Sequence, residues 1–174
     1  LYHGCIPMTE NREFDGLMVG GKMYRGKELM DFIDTQVKNA YFLPEDAPEK
    51  EACRDFMWYL WNGAKSPVFG KDKNRSFEHY FIEDPEVMRE TMNPYYQLSE
   101  EEETCDMILK EFGLPTKGSH IINGHVPVKT IQGEQPMKAN GKLFVIDGGF
   151  SKAYQPETGI AGYTLVYHSH GMQL

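Results

Sequence analysis

Two histidines, His3 and His125, are the residues in this 174-residue sequence best placed to do chemistry. His3 lies in Leu1-Tyr-His-Gly-Cys-Ile-Pro7, and His125 in His120-Ile-Ile-Asn-Gly-His-Val-Pro-Val-Lys129. Each closes a short apolar run and precedes a tight turn. A strand there fixes the backbone and a turn opens room for an ion, so both positions suit metal ligands. Two imidazoles do not make a hydrolytic centre. Phosphoester hydrolysis at a two-metal site needs ions about 3.5–4 Å apart, and so several carboxylates and an Asn as well. Asp147 is the one carboxylate near a strand end in the last third of the chain. His79, His168 and His170 read as ordinary hydrogen-bonded residues, and His120 as a neighbour that supports His125.

The elements that must hold these residues divide the chain into three. Residues 1–24 read as strand and turn, with Gly20-Gly21 between two extended pieces. Residues 25–113 read as mostly helical. Leu29, Phe32, Ile33, Val37 and Ala40 recur at helical spacing. A second helix starts at Pro48 after Asp46 or Ala47, turns Cys53, Phe56, Met57 and Leu60 inward and ends at Gly63. Asp84-Pro85 opens a short third helix. Ser99 with Glu102 forms a capping box for a fourth, which buries Cys105, Ile108, Leu109 and Phe112 and stops at Gly113. The acidic run Glu100–Glu103 suits the positive end of that helix dipole and needs no functional explanation. Residues 114–174 switch to strand spacing, with extended pieces at Ile121-Ile122, Val126–Ile131, Leu143–Ile146 and Tyr163–Tyr167. Turns are expected at Gln132-Gly133, Asn140-Gly141 and Gly148-Gly149, and Asn-Gly between extended segments signals a hairpin. Since the two histidine motifs must meet, the helical middle reads as an insertion within one sheet domain.

Composition narrows the setting. A length of 174 residues allows one well-buried core. Apolar residues make up 40% of the chain and aromatics 13%. No apolar run approaches the roughly 20 residues of a membrane span, and no secretory signal is visible. Cys5, Cys53 and Cys105 are scattered and odd in number, which points to buried thiols in a reducing cytoplasm. The net charge of −8 argues against nucleic-acid or membrane-surface partners. Residues 117–174 nevertheless hold five lysines against three acids, a net of +2 that leaves −10 for the remainder. That basic end either steers a small anion or merely mirrors acids that coat helices elsewhere. Trp58, Tyr59, Trp61, Tyr95 and Tyr96 are expected to pack or to form a subunit contact, so a homo-oligomer stays open. Leu1 opens inside a motif and Leu174 closes a strand-like run, so both ends are expected to continue in a longer protein.

His3-Gly4-Cys5-Ile6-Pro7 is similar to the His-Gly-Gly-Leu-Ser segment of protein serine/threonine phosphatases. Asn123-Gly124-His125-Val126-Pro127 resembles the Gly-His-Thr-His or Gly-His-Thr-Pro element of calcineurin-type metallophosphoesterases, with Val126 where relatives often have Thr. The longer series His120–Lys129, Lys138–Lys142, Val145–Tyr154 and Thr158–Thr164 resembles the C-terminal part of class III (Firmicutes-type) fructose-1,6-bisphosphatases. Ser66–Lys71 and Asn93–Tyr96 fit the same family, so the likeness runs along nearly the whole chain.

The resemblance implies an α/β fragment: the C-terminal half of a two-sheet (αββα) metallophosphoesterase fold with a helical insertion. It implies that His3 and His125 bind metal in a two-metal centre, Mn in this family, although the ligand types also suit Fe, Zn or Co. It places the Asp-x-His, Gly-Asp-x-x-Asp-Arg and Gly-Asn-His-Asp/Glu motifs before Leu1, together with the general acid and a phosphate-binding Arg. The chain alone is then expected to be inactive. Lys129, Lys138 and Lys152 would meet the phosphate that does not lie on the metals, as point-charge donors, and Tyr154 and Asn123 would hydrogen-bond phosphate or sugar hydroxyls. The implied parent is a cytoplasmic fructose-1,6-bisphosphatase of gluconeogenesis. A metallophosphoesterase for another phosphoester, or a noncatalytic module of the same fold, are the alternatives.

Overall fold

Positive φ at both Gly20 (58°) and Gly21 (80°) closes a two-residue hairpin turn that side-chain-bearing residues adopt only with strain. It joins β1 (Gly16–Val19) to β2 (Lys22–Arg25), antiparallel with Gly16 opposite Arg25 and Val19 opposite Lys22. The computed structural model describes residues 1–159 and 162–174 and forms two compact units. One is Cys5–Leu98. The other joins Leu1–Gly4 to Ser99–Leu174.

In the Cys5–Leu98 unit, α1 (Gly26–Phe42) and α2 (Pro48–Asn62) pack side by side. Leu29, Ala40, Cys53 and Leu60 are buried, while Phe32, Ile33, Val37 and Phe56 are half-buried. Phe32 stacks on Tyr24 at 4.2 Å between ring centres and meets Phe56 edge-on at 5.4 Å. Full burial of each such side chain contributes about 1.5–3 kcal/mol. Pro48 occupies the first turn of α2 and Gly63 follows its end, as the sequence predicts, although Ala47 caps the helix without a side-chain bond. Met57 departs from expectation. It lies on the flank of the buried stripe and is 43% exposed. Trp58 and Trp61 stay on the outer face of α2, 64% and 62% exposed, and contact each other rather than the core.

The helical expectation also fails beyond Gly63. Only single turns occur there, namely a 3₁₀ turn at Glu78–Tyr80, α3 (Pro85–Met88) and α4 (Tyr95–Leu98). Asp84 does cap α3, accepting the Glu86 N–H at 2.9 Å. Local side-chain bonds at Ser66 and long-range bonds at Asn93 hold this backbone irregular. The Ser66 hydroxyl donates to Leu60 C=O at 2.5 Å and accepts from the Val68 and Phe69 amides. Asn93 N–H donates to Gly70 C=O at 2.9 Å, and the Asn93 side chain accepts from the Met8 and Tyr95 amides. The Ser66–Lys71 and Asn93–Tyr96 motifs therefore meet each other, and fully buried Tyr95 sits beneath them.

In the other unit, α5 (Glu102–Glu111) buries Cys105, Ile108 and Leu109 and leaves Phe112 half-buried; it ends at Gly113. Ser99 does not cap it. Glu101 stands at that position and makes no capping bond through its side chain, and the buried Ser99 accepts the Cys105 thiol through its carbonyl at 3.2 Å. The central sheet runs β3-β5-β4, with β3 (Ile121–Asn123) parallel to β5 (Leu143–Val145) and β4 (Met137–Lys138) antiparallel to it. Asn140 (φ 53°) and Gly141 (φ 83°) lie in the β4–β5 turn, as their pairing predicts. Tyr2 bridges Asn123 in parallel on the outer side of β3.

The Val126–Ile131 stretch is not a strand. Pro127 offers no N–H, His125 turns the chain away at φ 69°, and residues Thr130–Gln132 close into a 3₁₀ turn. After α6 (Gln155–Thr158) the strand expected at Tyr163–Tyr167 begins later. It is β6 (Val166–His168), paired with β7 (Gly171–Gln173). Ile160 and Ala161 of the Thr158–Thr164 motif lie outside the described residues. Among the described residues the architecture is mixed α/β with three small sheets. Among the described residues, no helix is long and apolar enough to cross a membrane.

All three cysteines are buried free thiols. Burial pushes the Cys5 and Cys105 thiols up to about 12 from an ordinary 9.0, although the Tyr96 hydroxyl near Cys5 and the Lys142 charge near Cys105 pull the other way. A folded-state pKa raised above the unfolded value stabilises the fold fully below pH 9.0. That contribution is lost as pH rises towards 12. The melting temperature should therefore hold up to about pH 9 and fall steadily above it. A melting temperature unchanged at pH 11 would remove the thiols from the stability account.

Candidate metal centre

The site is built where two chain segments run side by side and then both leave the sheet. Tyr2 N–H donates to Ile122 C=O at 3.1 Å, and Gly124 N–H donates to His3 C=O at 2.9 Å. On the other side of β3, Ile146 N–H donates to Asn123 C=O at 2.9 Å. His125 then takes a left-handed backbone, rare for a residue with a side chain, and a Val126 N–H to Gly124 C=O bond of 2.9 Å closes the turn. The result brings together residues 122 positions apart: His3 Nε2 lies 3.0 Å from His125 Nδ1, with ring centres 4.9 Å apart.

That separation is a test of fit. Imidazole nitrogens bind a divalent ion at about 2.0–2.1 Å, so neighbouring ligands on one ion stand about 3 Å apart. The two rings fit as adjacent ligands of a single ion. They do not complete a site, since among the described residues no group of three or more His, Cys, Asp or Glu could hold a metal. Asp147 backs the same turn, its Cβ lying 3.9 Å from where a Gly124 side chain would start. Its carboxylate, however, accepts the Gly149 N–H at 3.0 Å.

The other expected residues are placed as follows. Asn123 is buried, and its Nδ2 donates to Gly4 C=O at 3.0 Å. Lys138 is mostly enclosed and ion-paired with Glu134 and with Glu100, the latter at 2.7 Å. Burial lowers the Lys138 pKa, but the hydrogen bonds it donates to Glu100 and Glu134 outweigh that and hold the ammonium above its ordinary range. Lys142 is likewise paired with Asp106 and Glu102. Two of the five lysines in the basic end are thus balanced by acids of α5 and its flanks.

Lys129, Lys152 and Tyr154 remain on the exposed surface. They sit on loops that pack together: Gly149 lies against Pro127 and Thr158, and the Thr130 hydroxyl donates to Thr158 C=O at 2.8 Å. His120 is tied elsewhere than His125, its Nδ1 donating to Gly141 C=O at 2.8 Å. His168 accepts the His170 N–H at 3.0 Å. What sequence reasoning missed is the Asn123 clamp. Its only signal was an amide next to Gly124, which reads equally well as a ligand contact.

A model of the family described as Firmicute fructose-1,6-bisphosphatase matches residues 1–174. The chain belongs to that family. Over all 174 residues it is 60% identical to a protein of Bacteroides thetaiotaomicron named fructose-1,6-bisphosphatase class 3. Relatives of the same name in Fusobacterium nucleatum and Clostridium acetobutylicum are 55% and 52% identical over the same length. The chain spans 26–27% of the length of these relatives. The likeness covers their C-terminal part. No solved structure matches it significantly.

Proposed function

We propose that the polypeptide containing this chain is a cytoplasmic, divalent-metal-dependent phosphatase of gluconeogenesis. It hydrolyses fructose 1,6-bisphosphate to fructose 6-phosphate and phosphate. The observation that carries the reading is the 3.0 Å meeting of His3 and His125 in a chain of this family. Its fold is a two-sheet metallophosphoesterase domain, of which β3, β5 and β4 with the bridging Tyr2 segment are one part. Association into a homo-oligomer belongs to the same proposal.

When bound, a pair of divalent ions (Mn in this reading) supplies Lewis acidity and an activated water for attack at phosphorus. The residues of this chain do the positioning. His3 and His125 would hold one of the ions. Lys129 and Lys152, exposed on neighbouring loops, attract the phosphate that is not being cleaved, and Tyr154 donates to it. Lys138 is proposed to reach that phosphate only by exchanging a carboxylate partner, and otherwise holds Glu100 to Glu134. The remaining ligands and the general acid come from other parts of the polypeptide, so the isolated chain is inactive.

Phosphate release with Mn²⁺ tests the reading in the full-length polypeptide and in this chain. Fructose 1,6-bisphosphate, a phosphoserine peptide and a dinucleoside polyphosphate are compared as substrates. Release from the sugar bisphosphate by the full-length protein alone is expected. A preference for either other substrate would reassign the enzyme, and no release at all would favour a noncatalytic module.

A further inference from the structure

We infer that Asn123 is a positioning residue that sets the geometry of the His3–His125 pair, not a contact to substrate. This rests on the metal-site reading of the two histidines. The parallel ladder between residues 2–4 and 122–125 has to stop where both histidines leave it. Its last backbone bond is Gly124 N–H to His3 C=O. The next carbonyl in line, that of buried Gly4, can no longer be served by a backbone amide, because His125 has turned into the left-handed region. Asn123 supplies the missing donor from its side chain at 3.0 Å, across 119 residues of sequence. A buried carbonyl left without a donor is costly, so this bond holds the turn after His3 in place. The same residue presents its own carbonyl to Ile146, anchoring the clamp to the strand that leads to Asp147. Both ligands are thereby fixed from one side chain: His125 is two residues downstream of it, and His3 is one residue upstream of the carbonyl it holds.

Asparagine is suited to this and close analogues are not. Aspartate keeps the shape but turns a carboxylate oxygen towards the Gly4 carbonyl, and serine is too short to reach it. The test is Mn²⁺ titration of the full-length polypeptide carrying Asn123→Asp or Asn123→Ser, with His125→Asn and the unaltered protein alongside. Residues that orient a ligand typically change metal affinity by roughly 10–100-fold. A weakening of this size is expected in both Asn123 variants, with an altered EPR spectrum of the bound Mn²⁺ and a KM for the sugar bisphosphate within about twofold of normal at saturating metal.

A raised KM at saturating Mn²⁺ with normal Mn²⁺ affinity would overturn the inference in favour of a substrate contact. A lower melting temperature with unchanged affinity in the folded fraction would overturn it in favour of plain stabilisation. If His125→Asn itself leaves Mn²⁺ binding intact, the metal-site reading fails rather than the clamp. The serine variant, which adds no charge to the interior, serves if the aspartate variant does not fold.

Discussion

His125→Asn in the full-length polypeptide is expected to lower kcat/KM for fructose 1,6-bisphosphate by on the order of 10³-fold or more at limiting Mn²⁺. Loss of a metal ligand removes several kcal/mol of transition-state stabilisation, and each 1.36 kcal/mol is tenfold in rate. Asparagine is chosen over alanine because His125 sits at φ 69°, a conformation that asparagine tolerates and alanine does not. The melting temperature should therefore stay within a few degrees of the unaltered protein, so that the lost rate reports ligation. His3→Asn should behave alike, because either ring alone leaves its partner without the adjacent ligand 3.0 Å away. Retention of more than a tenth of the activity in both variants would remove the pair from the mechanism.

Gly70→Ala is expected to be strongly damaging for a single added methyl in the Cys5–Leu98 unit. Gly70 has φ 68°, where a side chain is strained, and an added Cβ would lie 2.3 Å from the Tyr96 hydroxyl and 3.0 Å from its ring. Left-handed strain costs about 1 kcal/mol, and overpacking a tight interior typically costs about 1–3 kcal/mol more. A loss of about 2–4 kcal/mol follows. Hydrogen exchange of the 66–96 segment in the full-length protein should accelerate by roughly 30-fold or more. Adding Tyr96→Phe removes the nearest atom and should recover part of the overpacking cost, leaving the backbone strain. Exchange in Gly70→Ala as slow as in the unaltered protein would show that the Ser66–Lys71 and Asn93–Tyr96 motifs do not lock together.

Local signals were read correctly where a residue type has few alternatives. Gly20-Gly21 and Asn140-Gly141 make turns because positive φ leaves little else, and Pro48 and Gly63 bound α2 for similar reasons. The errors arose where long-range bonds override propensity. Residues 64–101 carry enough apolar residues for helices, yet Ser66 ties its side chain to Leu60 C=O and to its neighbouring amides, Asn93 accepts the Met8 N–H across 85 residues, and both hold the chain irregular. Val126–Ile131 has strand-like composition, but Pro127 and the turned His125 interrupt it and Thr130–Gln132 close into a 3₁₀ turn. Ser99-x-x-Glu102 has the pattern of a capping box, but the helix begins only at Glu102, with Glu101 at the capping position.

The sequence by itself determined the family, the pair of histidine motifs and the buried thiols, since each depends on residue identity and local order. It also determined that two imidazoles are too few for a hydrolytic site. Tertiary structure alone decided that His3 and His125 meet, that the Lys138 and Lys142 ammoniums are balanced by acids, and that Asn123 is enclosed. Those outcomes depend on which groups come within about 3 Å across as many as 122 residues of chain. Nothing in a local pattern tells a free amide or ammonium from one already held.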